Sequence, residues 1–501
     1  MSTASPGAPA APPSFPQRLG HPAPLWMLFM TEYWERFAFY GMRWALTLYI
    51  VAQFYGGSGT GEAPANDVYG AYLALIYAAS LFGGYVADQL IGYQRSILIG
   101  AVIMASGLFV IMIPNQEIFL FGLALVIVGN GLFKPNISTM VGQLYSQEDR
   151  RRDAGFTIFY MGINLGGFLS PLVTGWLASV ITDTPLQQNY KVVFLASGVG
   201  MILSFLWFWF GRRQLHGIGR PPAEVPQARG IGIVLGCAAI GVPLVYFLLS
   251  KLGATALIVI LGVLFVGLAV MLLVEGIREG AVARDKVVAM LIIFVFNALF
   301  WMFFEQAGSS FNFLAQNIVD RMFGSWEFPV AWFQSVNSLA IIGLAPIIAA
   351  IWIWMGKRNV EPSIPRKFGL GLVGNGLAFL LLMYALTYLV DAHSKIPFWT
   401  LFMVYVIQSV GELCLSPVGL SMVTKLAPPR YVGFAMGGWF LSIANGNNMS
   451  GVFAAWVSGE TGMTTGSALS GYTLGFWALA GAGVVLFLIA PLIQKLMHGV
   501  R

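Results

Sequence analysis

Fourteen stretches of this chain are apolar for long enough to cross a bilayer: roughly 25–54, 67–90, 96–114, 117–144, 153–181, 191–211, 230–250, 253–274, 287–318, 329–355, 367–391, 397–426, 431–458 and 471–497. A transmembrane helix needs about 20 predominantly apolar residues, and in hydrocarbon only helices and closed barrels satisfy their own backbone. The runs show no period-two alternation, so helices are implied. Only 10% of the 501 residues are charged, against about 25% in soluble domains. The chain is an all-α integral membrane protein.

Within the first of these stretches lies Thr31 to Arg43, TEYWERFAFYGMR. Glu32, Glu35, Arg36 and Arg43 sit where hydrocarbon should surround them, at roughly 2.5–3.5 kcal/mol per charge on insertion scales. At about 100° per residue, Glu32, Arg36 and Arg43 fall within ~40° of one another, with Glu35 and Tyr40 flanking them. One face of this helix is chemical and the rest greasy. That face should line a central cavity, with the other spans as its wall.

Basic residues set the orientation. With the amino terminus cytoplasmic, twenty of the 27 lysines and arginines fall on the cytoplasmic side, among them Arg95, Arg150 to Arg152, Arg212, Arg213, Lys357, Arg358 and Arg501. Lys191, Lys251, Arg321 and Lys395 fall outside, and Arg36, Arg43 and Lys134 lie within spans. The net charge of +6 is therefore a topology signal and not a nucleic-acid footprint. Both termini are expected in the cytoplasm. Residues 1–22 are Ala/Pro-rich, lack the pattern of a signal peptide, and read as a cytoplasmic tail. The basic, Pro-containing stretch RRQLHGIGRPPAEVPQAR (212–229) reads as a linker between two halves. The two spans after it carry almost no polar groups and look like an inserted hairpin. The expected organisation is a tail (1–22), a six-helix bundle (23–212), a linker with the helix pair (213–286) and a second six-helix bundle (287–501). Two such halves around a mid-membrane site is a transporter pattern.

The second span ends GGYVADQLIGYQR, where Asp88 and Arg95 flank a tight turn and the glycines permit close packing. This resembles the loop-two motif of the major facilitator superfamily, which implies a structural gate. The fourth span holds GNGLFKPNIS, with Lys134 well inside it and Asn130 one turn earlier on the same face. A buried ammonium needs a carboxylate or a solvated cavity. Lys134 is either a static ion-pair partner, a proton-sensitive one, or an anchor for an anionic substrate group. The ninth span carries Glu305 beside Gln306, the tenth Gln334, Asn337 and Ser338, and the twelfth Gln408, Glu412 and Ser416 at i, i+4 and i+8. Glu305 and Glu412 are the acids deep in the second half; each could also be a packing or ion-pair group. Trp439, in the thirteenth span, could equally face lipid.

The fifth span contains FYMGINLGG, Phe159 to Gly167. Together with Glu32-x-x-Glu35-Arg36 and GGYVAD, it is similar to the proton-dependent oligopeptide transporter family, and the likeness extends along most of the chain. The inserted helix pair resembles bacterial members. The resemblance implies the major facilitator fold, two six-helix bundles plus the pair, and a pocket lined by Tyr40, Tyr77, Asn164, Asn337 and Trp439. Phe39 departs from it, because that family often has a tyrosine there whose hydroxyl could meet ligand.

No GxxxxGK[ST] phosphate loop, HExxH or paired CxxC is present, so ATP-driven transport, a metal site and an enzyme are not indicated. Cys237 and Cys414 exclude a disulfide scaffold and read as buried thiols. His21, His216, His393 and His498 lie at loops or termini, which leaves proton coupling to carboxylates. The expected activity is uptake of di- and tripeptides with protons, by alternating access, in the cell (inner) membrane. The protein would act as a monomer, with lipid as its surroundings and no cofactor beyond the proton gradient. A peptide's carboxylate would turn toward Arg43 and Lys134 and its ammonium toward Glu412, with Ser416 one turn on. Glu32, Glu35 and Glu305 would relay the proton beside Arg36 and Lys134, through Glu305–Lys134 and Glu35–Arg36 contacts that form and break. One charge crossing 100 mV supplies ~2.3 kcal/mol and each pH unit about 1.4 kcal/mol, enough together for roughly several hundred-fold accumulation. The alternative is a same-fold carrier of nitrate, a drug or another small anion, which would need the first-half cations but not Glu412.

Overall fold

A computed structural model of the chain describes residues 14–146, 149, 151–182, 188–221 and 226–500. Residues 1–13 of the expected tail, Arg150 and Arg501 lie outside the described residues. The first half is built from α1 (Ala23–Phe54), α2 (Glu62–Val86), α3 (Tyr93–Val110), α4 (Gln116–Gln143), α5 (Arg152–Val180) and α6 (Tyr190–Gly211). α7 (Gln227–Phe247) and α8 (Gly253–Glu279) follow as a hairpin. The second half comprises α9 (Ala281–Phe304), a short α10 (Ser310–Asn317), α11 (Val330–Lys357), α12 (Ile364–Tyr388), α13 (Phe398–Leu426), α14 (Val432–Ser458) and α15 (Thr465–Leu496). Two two-residue-stranded hairpins, at 17–22 and 322–327, are the only sheets among the described residues.

The fourteen long helices stand where fourteen spans are expected. Eleven stretches are apolar enough to cross a membrane on composition alone, with α7 and α8 forming one of them. α1 and α14, which carry the charges and asparagines of the interior, fall short of that measure.

One expected span is broken. The run 287–318 is α9 to Phe304 followed, after a turn at 305–309, by α10. Glu305 is the first residue beyond α9, and the backbone carbonyls freed at the break are used. Ser309 and Ser450 hydroxyls donate to Glu305 O at 3.3 and 3.1 Å, and Thr47 Oγ1 donates to Gly308 O at 3.0 Å. Irregular backbone at membrane depth is tolerated where it is buried in protein.

The halves meet mainly through α2 with α14 and α5 with α11. At Gly70 a Cβ would lie 2.6 Å from Gly451 Cα, so only glycine lets α2 and α14 touch there. Cross-bundle hydrogen bonds cluster between mid-depth and the face opposite the termini. Examples are Asn66 Nδ2 to Ser458 Oγ (3.1 Å), Trp332 Nε1 to Leu172 O (3.1 Å) and Ser335 Oγ to Phe168 O (2.7 Å). On the half toward the termini, Tyr160 and Met161 of α5 are exposed. The two bundles are closed against each other on the face opposite the termini.

The hairpin of α7 and α8 packs outside the bundles, with only 17% of its most apolar window buried. Asn448 Nδ2 donates to Ala254 O at 2.7 Å, tying α8 to α14, while the Tyr246 hydroxyl donates to Glu117 at the foot of α4. Cys237 on α7 is exposed, contrary to its reading as a buried thiol, because this helix turns most of its surface away from the protein; Cys414 is buried.

Candidate functional site

Two clusters of ionised groups sit on α1, about two turns apart. Arg36 donates through Nε to Glu35 Oε2 at 2.5 Å and through Nη2 to Glu35 Oε1 at 2.6 Å. Its Nε also stands 3.3 Å from Glu32 Oε1. Asn130 of α4 donates to Glu35 Oε1 at 3.1 Å. All three charged groups are buried, so the cluster holds two carboxylates against one guanidinium, and among the described residues Glu32 Oε2 has no hydrogen-bond partner. Phe39, at the departure position, packs beneath the Arg36 guanidinium, 4.7 Å from ring centre to Cζ.

The second cluster crosses the bundles. Arg43 Nη2 pairs with Glu305 of the α9–α10 break, and Arg43 Nε donates to the Tyr69 hydroxyl at 2.6 Å. Tyr69 was not singled out from sequence. It is a fully buried tyrosine on α2, and its only advance signal is a hydroxyl within an apolar run. Glu305 thus meets Arg43 and not Lys134, its expected partner. Lys134 Nζ lies 4.4 Å over the Tyr77 ring, and among the described residues it has no carboxylate within 4 Å. The break of α9 turns Glu305 toward α1, whereas an unbroken helix was assumed.

On the far wall, Asn337 Nδ2 donates to Glu412 Oε2 at 3.1 Å and to Ser409 Oγ at 2.9 Å. The Ser416 hydroxyl, one turn from Glu412, has no hydrogen-bond partner among the described residues. Asn164 donates to Tyr160 O at 3.0 Å. Trp439 is 2% exposed, its ring centre 5.9 Å from Phe294 and 6.1 Å from Phe368, so it packs within the second half. Asp88 accepts from the Tyr93 hydroxyl; it forms no ion pair with Arg95 among the described residues.

Burial sorts these side chains in two. Glu32, Glu35, Arg36, Arg43 and Glu305 are buried, while Tyr40, Tyr77, Lys134, Asn337, Glu412 and Ser416 are half-buried. The half-buried set offers one ammonium and one carboxylate on opposite walls, with phenols between. Behind it stands a buried layer of charged groups, whose members respond to any change in one another's ionisation.

The chain is similar to known proteins along most of its length. The POT family model matches residues 94–468. The Yersinia enterocolitica peptide transporter YePEPT is 35% identical over 88% of this chain and 89% of its own. The Lactococcus lactis di-/tripeptide transporter is 33% identical over 96% of this chain and 98% of its own. A crystal structure of a POT peptide transporter mutant with alafosfalin superposes with a TM-score of 0.83, 34% identity and coverage of 97% of this chain and 98% of that one.

Proposed function

From its membership of the POT family, to which this chain belongs, we propose that it carries di- and tripeptides into the cell together with protons. It is a multi-pass membrane protein of the major facilitator fold. We place it in the cell membrane as a monomer with both termini cytoplasmic, where it performs transport and no catalysis and needs no cofactor beyond the proton gradient.

The observation that carries the reading is that one bundle supplies a half-buried ammonium, Lys134 on α4, and the other a half-buried carboxylate, Glu412 on α13, with the buried Arg43 on α1. A short peptide presents a carboxylate and an ammonium at its ends and matches both walls. Arg43 is occupied by Glu305 and Tyr69. A proton on Glu305 removes its claim on Arg43 and frees a guanidinium for the substrate carboxylate; loss of that proton restores the pair and expels the carboxylate. Proton and peptide are therefore taken up together. The cluster of Glu32, Glu35 and Arg36 carries one carboxylate more than it has guanidinium and supplies a second place for a proton.

Uptake of labelled dialanine into liposomes, acidic outside and negative inside, tests the proposal. Accumulation should collapse with a proton ionophore; a folded protein that takes up nitrate and no dialanine would overturn it. Glu412→Ala should raise the dissociation constant for dialanine by roughly thirtyfold or more, since truncating one member of a buried charge pair costs about 2–5 kcal/mol. Unchanged binding in equilibrium titration would remove Glu412 from the ammonium site.

A further inference from the structure

The closed face holds a buried acid that the transport mechanism above does not use. Glu62 opens α2 and is 4% exposed. Its Oε2 accepts the backbone N–H of Met463, in the link between α14 and α15, at 2.8 Å. Its Oε1 accepts Asn317 Nδ2, at the end of α10, at 2.7 Å. One carboxylate of the first half thus gathers two segments of the second. The backbones around it are in contact: a Cβ on Gly59 would lie 2.3 Å from Thr461 O, and Gly462, at φ +98°, comes within reach of Gly59 Cα. This is the end at which the two bundles must separate for the cavity to face the other way.

We propose that Glu62 is the positioning residue of this gate, an acid latch that holds it shut when ionised and releases it when protonated from the opposite side. This rests on the alternating-access reading. A carboxylate offers only acceptors and suits the two N–H donors and the Ser458 hydroxyl beside them; protonation withdraws one acceptor and removes the charge that strengthens each of these bonds. The acidic compartment from which peptide and proton enter would open the gate that admits them. Among the described residues no cation pairs with the latch, and the Tyr472 phenol of α15, which also faces it, donates to Ser310 Oγ at 3.2 Å. Lys395 Nζ is spent on Asn317 O at 2.7 Å, and Arg321 on Ala315 O (2.8 Å) and Glu327 (2.7 Å). Asp67 lies further along α2, and Glu460 is exposed on the α14–α15 link.

The test is a spin-label distance measurement between Gln116 and Ala392, both exposed on this face of opposite bundles. It uses the full-length protein in lipid nanodiscs without substrate, with Cys237 and Cys414 replaced by serine. The parent should show one short distance at alkaline pH and a growing longer one at acidic pH. Glu62→Gln accepts through one oxygen only and should show the longer distance at both, raising the open-to-closed ratio at alkaline pH by roughly tenfold or more. Glu62→Asp should restore pH dependence, which a merely structural role would not. Should Glu62→Gln fail to fold, Asn317→Ala removes one donor and should shift the ratio the same way. A Glu62→Gln or Asn317→Ala protein that opens and closes with pH as the parent does would overturn the latch. Because no substrate is present, that result stands apart from any failure of peptide transport.

Discussion

A Glu305→Gln variant should exchange dialanine across the membrane at rates near those of the parent yet bring internal and external concentrations only to equality. The parent, driven by 100 mV and one pH unit, can reach roughly several hundred-fold. Glutamine keeps the shape of the side chain at the α9–α10 break and can still accept from Arg43, but it carries no titratable proton. The guanidinium then faces substrate at every pH, and the link between loading a proton and loading a peptide is cut. Counterflow assays, which need no gradient, read the exchange; potential-driven uptake reads the accumulation. Normal accumulation by Glu305→Gln would remove Glu305 from the coupling path.

How much of this was legible in the sequence follows from how far each interaction reaches along the chain. The arc of Glu32, Arg36 and Arg43 is a local helical pattern, and the ion pairs between Arg36 and its glutamates fall where periodicity puts them. The spans were legible because bilayer thickness imposes their length. What spacing cannot give is the partner of a residue on another helix. Arg43 and Glu305 are 262 positions apart, and whether Glu305 turns to Arg43 or Lys134 depends on a helix break at 305–309. The sequence there, FFEQAGSS, reads as continuous with the span. Glu62 was passed over because it lies at the edge of a span, where an acid looks solvated; only the approach of Met463 and Asn317 buries it. Trp439, expected in the pocket through the resemblance, packs against Phe294 and Phe368 instead, since an aromatic in a span does not announce whether it faces cavity or core.

Arg36→Ala should be the most destabilising single change in the molecule's interior. Among the described residues Arg36 is the one cation in hydrogen-bond or ion-pair contact with Glu32 and Glu35, and all three are buried. Removing it leaves the carboxylates with one hydrogen bond from Asn130 and the more distant charge of Lys134, and breaking a buried pair in this way costs about 3–5 kcal/mol. In detergent the variant should unfold at a clearly lower temperature than the parent and run partly aggregated on gel filtration. The same cost argument makes a second arm decisive. Replacing all three together, as Glu32→Gln, Glu35→Gln and Arg36→Met, removes the charges along with the need to neutralise them, and buried ion pairs replaced by neutral groups of similar volume often lose little stability. The triple variant should therefore recover most of the thermal stability lost by Arg36→Ala while failing to accumulate peptide under a proton gradient. If the triple variant accumulated peptide normally, the cluster would be a packing device between α1 and α4. If it stayed as unstable as Arg36→Ala, the shape of the guanidinium and not the balance of charge would be what holds these helices together.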